Sequence, residues 1–193
     1  MTELWLVRHG QTDWNLEKRY QGQADIPLNL TGLQQAADLA NRLEGEAFEA
    51  LYSSDLSRAR QTAELLARTL GLPLRLDARL REIHQGEWQG EYLDDVRERH
   101  TLLLEEHWNN PARSRAPGGE SVIEVAGRAA QAISEICRRH PRGRVLVVSH
   151  GLTLATLICQ ARSASLARVY SLIPENTQVE VIYWPPPRLL QEN

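Results

Sequence analysis

The sequence predicts an α/β fold, a three-layer α/β/α sandwich around a mostly parallel central sheet. Two short apolar runs, at 4–7 and 145–148, have the length of buried strands, and each leads into a histidine followed by a glycine. Between them, amphipathic helical patterns alternate with further short apolar runs, the order of elements that builds a parallel sheet covered by helices. If the two strands run parallel, both histidines emerge at the carboxyl edge, where α/β folds bind ligands.

Length and composition are those of one ordinary globular domain: 193 residues, 42% hydrophobic and 24% charged, with a net charge of −3. This charge disfavours a nucleic-acid partner, which usually needs a basic face. We expect a cytoplasmic protein without a membrane partner, because no signal peptide is recognised and no apolar run reaches roughly 18–20 residues. Cys137 and Cys159 lie in apolar helical patterns and should be buried thiols.

The first half of the chain contains two amphipathic helices between short strands. Helices are identified by apolar residues at three- and four-residue spacing behind a polar cap, and strands by short apolar runs. Gly71 stands where a helix C-terminus favours a left-handed residue. The predicted elements are a loop at 11–29, a helix from a Thr31/Gln34 capping box to about Glu44, a strand at 47–52, a helix from a Ser54 or Asp55 cap to Leu70, and a strand at 72–76.

The second half is less regular before its last strands. Glycines and prolines interrupt it near 86–90 and 111–119, which indicates loops there. The predicted elements are a loop at 79–90, a helix at 92–108, a loop at 109–119, a long helix behind a Ser121/Glu124 capping box, the second histidine strand, a deeply packed helix at 152–158, and a strand at 179–184 stopped by prolines 185–187.

Two strand-end histidines and nearby arginines suit phosphoryl transfer. A phosphate monoester is a dianion near neutral pH, and catalysis of its cleavage depends on positioning and charge stabilisation. Arg8 and Arg58 can each bind phosphate oxygens at two points, and Arg58 should point back toward the strand ends from its helix's first turn. One imidazole, of His9 or His150, can attack phosphorus if the guanidinium groups keep it neutral, while the other binds the transferring group.

Further groups complete such a site. Asn15 can donate its amide, and the N–H of Gly151 lies at the positive end of a helix dipole. A leaving alkoxide needs a proton, for which Glu82 is the best candidate, since a carboxyl beside a bound phosphate dianion keeps its proton more readily. The same group could then accept a proton from an attacking water. Alternative carboxylates nearby are Glu87, Glu91 and Asp94.

These residues resemble the signature of the histidine phosphatase superfamily, the phosphoglycerate-mutase-like proteins, over nearly the whole chain. The matching motifs are 6–12 with Asn15, 53–63, 80–83 with Gly86, Trp88 and Gly90, 117–121, and 148–151. The resemblance implies that His9 is phosphorylated with His150 as its partner, that Arg8 and Arg58 bind phosphate, and that Glu82 is the general acid/base. It also implies that Gln21 and Gly22 line the substrate side, and that no metal or cofactor is needed.

The acid loop at 83–90 resembles the phosphatase branch, which includes α-ribazole phosphatase and broad-specificity phosphatases. In phosphoglycerate mutases a second basic residue and a Tyr-Gly pair usually follow the glutamate, and this chain has no obvious basic cluster there. We therefore expect hydrolysis of a small phosphorylated metabolite, with segments at about 11–29 and 84–118 covering the substrate. The alternative is a cofactor-dependent phosphoglycerate mutase or phosphotransferase using the same phosphohistidine. A silent binding module is disfavoured because the motif residues are intact.

Several points stay open at the level of sequence. The substrate could be a sugar phosphate, a phosphoglycerate-type acid, phosphoserine or α-ribazole phosphate, and a homodimer is compatible with the chain. A histidine metal site is disfavoured, because no HxxxH or HxH spacing occurs. The remaining histidines, expected to face solvent although His84 could meet substrate, are His84, His100, His107 and His140. The aromatic residues that could form an apolar wall or simply pack in the core are Trp88, Tyr92 and Trp108.

Overall fold

The computed structural model describes residues 1–185, with all their side chains except those of His107 and Trp108. The predictions made for these two side chains and for Pro186 and Pro187 therefore lie outside the described part. The strands are β1 (Thr2–Arg8), β2 (Ala50–Ser53), β3 (Leu74–Leu76), β4 (Arg144–Ser149) and β5 (Val179–Trp184). They form one sheet in the order β3-β2-β4-β1-β5. Among the described strands only β5 runs antiparallel to its neighbour, so the predicted mostly parallel sheet is confirmed.

Helices cover both faces of this sheet. The α-helices are α1 (Asp13–Leu16), α2 (Leu30–Arg42), α3 (Ser57–Leu70), α4 (Leu93–Arg99), α5 (Thr101–Asn109), α6 (Val122–Arg139) and α7 (Gly151–Ala161), and 3₁₀ turns span Ala78–Leu80, Gly86–Trp88 and Leu166–Leu172. α6 and α7 pack against one face and α2 and α3 against the other, which confirms the three layers. The central strands β1 and β4 are apolar toward both faces because helices cover both.

The register of the two central strands aligns the predicted site. Arg8 pairs with Ser149 at the carboxyl ends of β1 and β4, so the next residue on each strand is a histidine. The backbone N–H of His9 continues the ladder by donating to the Ser149 carbonyl at 3.0 Å. The two histidines therefore emerge side by side at one edge of the sheet, as predicted.

Local signals identified several helix ends correctly. Gly71 ends α3 in the left-handed conformation at φ 64°. Ser121 and Glu124 form the predicted capping box of α6, with the Glu124 carboxylate accepting from the Ser121 N–H at 2.8 Å. α7 is buried nearly all round, as its apolar sequence predicts.

Two predicted N-terminal caps are wrong. α2 begins earlier than expected, because the Asn29 side chain accepts from the Gly32 N–H at 2.8 Å and takes the place predicted for Thr31. α3 has no cap from Ser54 or Asp55. The carboxylate of Asp25 instead accepts from the Ser57 N–H at 2.6 Å across the chain.

Three further features differ from the prediction: one helix is divided, one loop contains a helix, and one turn was not predicted. The helix predicted at 92–108 is two helices, α4 and α5, separated at His100, whose backbone leaves the helical region at φ −128° and ψ 36°. The loop at 11–29 contains α1, which Thr12 and Asn15 cap reciprocally. The 3₁₀ turn at Leu166–Leu172 was not anticipated.

Burial agrees with the expectation for both cysteines and disagrees for one histidine. Cys137 and Cys159 are buried free thiols, as predicted. His140 is buried rather than exposed, and His84 and His100 are half-buried. Within residues 1–185, no helix is both long enough and apolar enough to span a bilayer.

Candidate active site

His9 and His150 lie together beneath the carboxyl edge of the sheet. Their ring centroids are 5.2 Å apart with the planes tilted by 59°, and the residues are 3% and 0% exposed. The strands β1 and β4 bring them there, because the two strands end at paired residues, Arg8 and Ser149. The pairing of two distant His-Gly sequences, on which the site prediction depends, is therefore observed.

The immediate contacts of His9 define which ring nitrogen can react. Nδ1 lies 2.7 Å from the Gly10 carbonyl oxygen, which can only accept, so Nδ1 carries the proton. Nε2 then holds the lone pair, and it accepts from the Arg58 Nε at 3.3 Å. Burial, and then the charges of Arg58 and Arg8, hold the pKa of His9 well below its ordinary value of 6.5. The imidazole is thus neutral near neutral pH.

His150 is buried as deeply as His9 and lies next to it. Its Nε2 lies 2.8 Å from the Ser54 hydroxyl, while its Nδ1 is buried with no hydrogen-bond partner within residues 1–185. Burial, then the charge of Arg58, lowers the pKa of His150 well below 6.5. An unpartnered buried nitrogen is costly unless a ligand meets it, so His150 keeps a polar atom available next to His9.

Arg58 joins the second strand-to-helix turn to the loop after β1. From the first turn of α3 it points back to the strand ends, as predicted. Besides its bond to His9, it donates from Nη1 to the Ala24 carbonyl and from Nη2 to the Gly22 carbonyl, both at 2.8 Å. Burial lowers the pKa of Arg58 to about 10. Gly22 adopts φ +51°, a backbone conformation that suits glycine.

Arg8 approaches the site from the end of β1. Its Nη1 donates to the Pro174 carbonyl at 2.8 Å, and its buried Nε has no partner in the described chain. Burial lowers the pKa of Arg8, while the carboxylates of Glu82 and Glu175 oppose that shift. Gly151 lies beside this guanidinium: a Cβ there would make an ordinary contact of 3.5 Å with Arg8 Cζ but would be only 2.9 Å from Ile173 Cγ2.

Glu82 is held by the N-terminus of α7. Its Oε2 accepts from the Leu152 N–H at 3.1 Å, and its Oε1 accepts from the Thr153 N–H and hydroxyl at 3.1 and 3.2 Å. The Ile83 N–H donates to the same Oε1 at 3.0 Å. The first-turn donors of α7 therefore orient this carboxylate, which leaves Gly151 as the residue of that turn nearest the arginines.

The two polar amides predicted for the substrate side differ in what they offer. Asn15 Oδ1 accepts from the Thr12 N–H and hydroxyl at 3.0 and 3.1 Å, so its Nδ2 is the end that can meet a ligand. Gln21 Oε1 is buried with no partner among the described residues. Both side chains line the same cavity as His9.

A cavity of about 360 Å³ opens above these groups. The predicted site residues that line it are Arg8, His9, Asn15, Gln21, Gly22, Arg58, Glu82 and Gly151. His150 does not line the cavity, and its ring lies next to that of His9. The lining residues that the sequence analysis did not single out are mainly apolar: Tyr20, Ile83, Leu93, Leu104, Leu152, Tyr170 and Ile173, with Arg19 and Gln85.

The apolar wall is built from different residues than the aromatic ones proposed. Trp88 is 1% exposed and packs with Val96 and Ala116 in a core cluster that supports the wall residues Tyr20 and Leu104. Tyr92 stacks under the Arg19 guanidinium. His84 does not line the cavity, and its Nδ1 accepts from the Gly86 N–H at 3.1 Å. The predicted covering segments pointed to the region of Tyr20, Leu93 and Leu104. No sequence signal marked Tyr170 and Ile173.

Other arginines near the site are already paired with acids. Arg81 binds both carboxylate oxygens of Asp55, at 2.7 and 2.5 Å. Arg19 binds Glu17 at 2.6 Å. Of the arginines that line the cavity, only Arg8 and Arg58 lack an acidic hydrogen-bond partner within residues 1–185.

Comparisons with known proteins identify the family. A protein of Escherichia coli (strain K12 / DH10B), "probable phosphoglycerate mutase GpmB", is 41% identical over 164 residues, 82% of this chain and 74% of that protein. Among solved structures, Bacillus stearothermophilus YhfR is similar at a TM-score of 0.88 and 36% identity, covering 95% of this chain and 91% of that one.

Two solved phosphatases are also similar. A mycobacterial glucosyl-3-phosphoglycerate phosphatase complexed with VO3 has a TM-score of 0.86 and 33% identity, covering 93% and 91% of the two chains. An α-ribazole phosphatase from Shigella flexneri has a TM-score of 0.84 and 25% identity, covering 94% and 90%. The sequence profile of the histidine phosphatase superfamily (branch 1) matches residues 4–189. The chain therefore belongs to the histidine phosphatase superfamily, as its motifs predict.

Proposed function

We propose that this protein is a phosphomonoesterase that hydrolyses a small phosphorylated metabolite through a phosphohistidine on His9. The observation that carries the proposal is the neutral, buried imidazole of His9, whose Nε2 lone pair faces guanidinium groups at the floor of the cavity. A neutral imidazole is a nucleophile, and the cations beside it can bind the phosphate oxygens.

In the first step, His9 Nε2 attacks phosphorus. The new P–N bond forms as the ester P–O bond breaks, and the departing alkoxide takes a proton from Glu82. Arg8 and Arg58 stabilise charge on the phosphoryl oxygens, and His150, which lies next to His9 with its Nδ1 unpartnered in the described chain, hydrogen-bonds the phosphoryl group once that group is on His9. The products of this step are the free alcohol and phosphorylated His9.

In the second step, water attacks the phosphohistidine. The Glu82 carboxylate removes a proton from that water as the new P–O bond forms, and the P–N bond breaks to return neutral His9. Inorganic phosphate leaves, and Glu82 is protonated again for the next substrate. The backbone donors at the start of α7 keep this carboxylate in one place through both steps.

The walls of the cavity support a hydrolase and indicate its leaving group. Beyond the phosphate donors, the lining is apolar, with side chains such as Leu93, Leu104 and Ile173. Arg19 lines the cavity but its charge is matched by Glu17. A second strong anion, as in a bisphosphorylated cofactor, would meet no free cation among the described lining residues. We propose an alcohol without charge and with an apolar face, covered by segments at about 11–29 and 84–118.

A phosphoglycerate mutase is the second candidate. The relative that is 41% identical carries that name, which favours it. Phosphate release from a panel of monoesters in EDTA, beside a 3-phosphoglycerate assay primed with 2,3-bisphosphoglycerate, separates the two. We expect metal-independent phosphate release that disappears in His9→Ala. Interconversion of phosphoglycerates without phosphate release would instead establish the mutase.

Three wider expectations stay predictions. They are one domain over residues 1–193, a cytoplasmic location, and a homodimer.

A further inference from the structure

The motif at 117–121 has no part in the chemistry described so far, yet its glutamate meets an arginine at the back of the acid loop. Arg128 on α6 binds both oxygens of Glu120, with 2.9 Å from Nε to Oε1 and 2.9 Å from Nη2 to Oε2. The same guanidinium donates to three backbone carbonyls at and just before Glu82. These are Arg79 O at 2.8 Å, Arg81 O at 2.6 Å and Glu82 O at 2.9 Å.

Glu120 extends this connection to the far side of the loop. Its Oε2 accepts from the His84 N–H at 2.8 Å, so the pair binds the backbone on both sides of Glu82. Gln23 reaches the same place, donating from Nε2 to the Glu82 carbonyl at 3.1 Å.

Glycines let the two backbones approach this closely. A Cβ on Gly119 would lie 2.5 Å from the His84 carbonyl oxygen, and one on Gly86 would lie 1.9 Å from the Pro117 oxygen. The motif segment is therefore packed directly on the acid loop.

We propose that Arg128, neutralised by Glu120, is a positioning residue that sets how far the Glu82 carboxylate reaches into the cavity. The proposal rests on the acid role of Glu82 proposed above. α7 holds the carboxylate end of Glu82, and Arg128 holds its backbone end, so the two together define its place. Neither Arg128 nor Glu120 lines the cavity, so their effect reaches the substrate through Glu82.

Arginine is required by the geometry. One planar fork satisfies three carbonyls and a carboxylate at once, whereas an ammonium has only three donors on one atom. The side chains of Arg128 and Glu120 are 18% and 25% exposed, so solvent screens the pair only partly. Displacing a catalytic group by 1 Å can cost about 10²-fold in rate, which sets the expected scale.

The test compares leaving groups in Arg128→Met, Arg128→Lys and Glu120→Gln. Nitrophenolate leaves without a proton, while an alkoxide needs one, so a misplaced acid slows alkyl phosphates selectively. We expect Arg128→Met to lose about 10²-fold in kcat/KM, which reports the first step alone, on an alkyl phosphate and no more than about threefold on nitrophenyl phosphate. Lysine should recover part of the loss, and Glu120→Gln should show a smaller loss of the same selectivity.

The matched control is Arg144→Met. Arg144 also bridges two acids, Glu3 at 2.9 Å and Glu46 at 2.7 Å, but it lies at the start of β4, the end away from His150. We expect unchanged kcat/KM on both substrates per folded molecule. Circular dichroism and active-site titration supply the folded fraction, and Glu120→Gln, which keeps the side-chain shape, carries the test if Arg128→Met fails to fold.

Glu82→Gln in the same assay separates the two levels of the account. If Glu82→Gln lowers kcat/KM equally for both substrates, the acid role of Glu82 is wrong and the positioning proposal falls with it. Glu82→Gln could instead lower kcat/KM selectively for the alkyl phosphate. If the Arg128 and Glu120 variants then lower kcat/KM equally for both substrates, or for neither, only the positioning proposal is overturned.

Discussion

Buried histidines occur at both ends of β4, and their surroundings are opposite. His140 precedes the strand, where its Nδ1 lies 2.7 Å from the Glu49 carboxylate and its Nε2 lies 3.1 Å from the Tyr52 hydroxyl. His150 follows the strand, next to His9, and the nearby charges are those of arginines. His140 is 7% exposed and the other two 0% and 3%, so burial alone does not distinguish them.

The difference lies in what each imidazole is given to bind. His140 has a partner at each ring nitrogen, one of them an acid, which is how a structural histidine is satisfied. At the other end, cations disfavour the imidazolium, and one nitrogen of His150 is left without a partner in the described chain. A fold keeps such an arrangement where a ligand completes it, so the contrast supports the active site proposed at the carboxyl edge.

The largest expected effect is loss of the nucleophile. His9→Ala should lower kcat/KM for phosphate release by at least about 10³-fold, because removing a covalent nucleophile leaves only binding and charge stabilisation. His140→Ala should retain wild-type kcat per folded molecule. Steady-state phosphate release with both purified proteins checks this, and equal losses in the two variants would erase the distinction between the ends of β4.

Arg58→Ala should be next in size. We expect a loss of about 10²–10³-fold in kcat, the usual cost of deleting one donor to developing charge. Lysine should not restore it, because the guanidinium binds His9, Gly22 and Ala24 together.

Arg75→Ala is the control for this prediction. The Nη1 of Arg75 lies 3.5 Å from His140 Nε2, as Arg58 lies beside His9, and the change should leave kcat unaffected. A comparable loss in Arg75→Ala would show that kcat responds to arginines wherever they lie.

His140→Ala should act on stability. The change leaves the Tyr52 hydroxyl without its ring partner and removes the contact to Glu49, which should cost about 1–3 kcal/mol in the free energy of unfolding. Urea unfolding followed by tryptophan fluorescence measures this. A free energy of unfolding that matches wild type would mean that the contacts of His140 contribute nothing net.

The smallest effect is a pH dependence of stability. The folded pKa values of His9 and His150 lie below their ordinary value of 6.5, so below that pH the unfolded chain binds more protons. The free energy of unfolding should therefore be highest above about pH 6.5 and should fall as the pH drops toward the folded pKa values.

Replacing one of these histidines should reduce that slope. His9→Gln or His150→Gln should each make it shallower by up to about 1.4 kcal/mol per pH unit, measured by urea titrations between neutral and mildly acidic pH. An unchanged slope in both variants would contradict a neutral histidine pair.

Local sequence signals predicted the parts of the fold and site that depend on neighbouring residues. Strand ends, the capping box at Ser121 and the direction of Arg58 follow from spacing along the chain. Apart from the pairing of the two histidine strands, contacts between distant segments were missed, because spacing carries no information about them. Asp25 capping α3 is one example, and Glu82 on the first turn of α7 is another.

The same limit explains why two wall residues were missed and why His140 was wrongly expected to face solvent. Tyr170 and Ile173 reach the cavity from a turn that follows α7, and nothing in their local sequence marks a site. His140 resembles a surface residue at a helix end, and only the folded position of Glu49 and Tyr52 makes it a buried one.

The most direct test is to trap the phosphorylated enzyme during turnover. The enzyme is mixed with a fast monoester, quenched in alkali, which preserves phosphohistidine, and mapped by peptide mass spectrometry. We predict phosphate on His9 in the wild-type enzyme and none in His9→Ala. In Glu82→Gln, with nitrophenyl phosphate as substrate, the phosphohistidine should live longer. Phosphate on His150 or His140, or steady hydrolysis with no phosphorylated histidine at any quench time, would contradict this prediction.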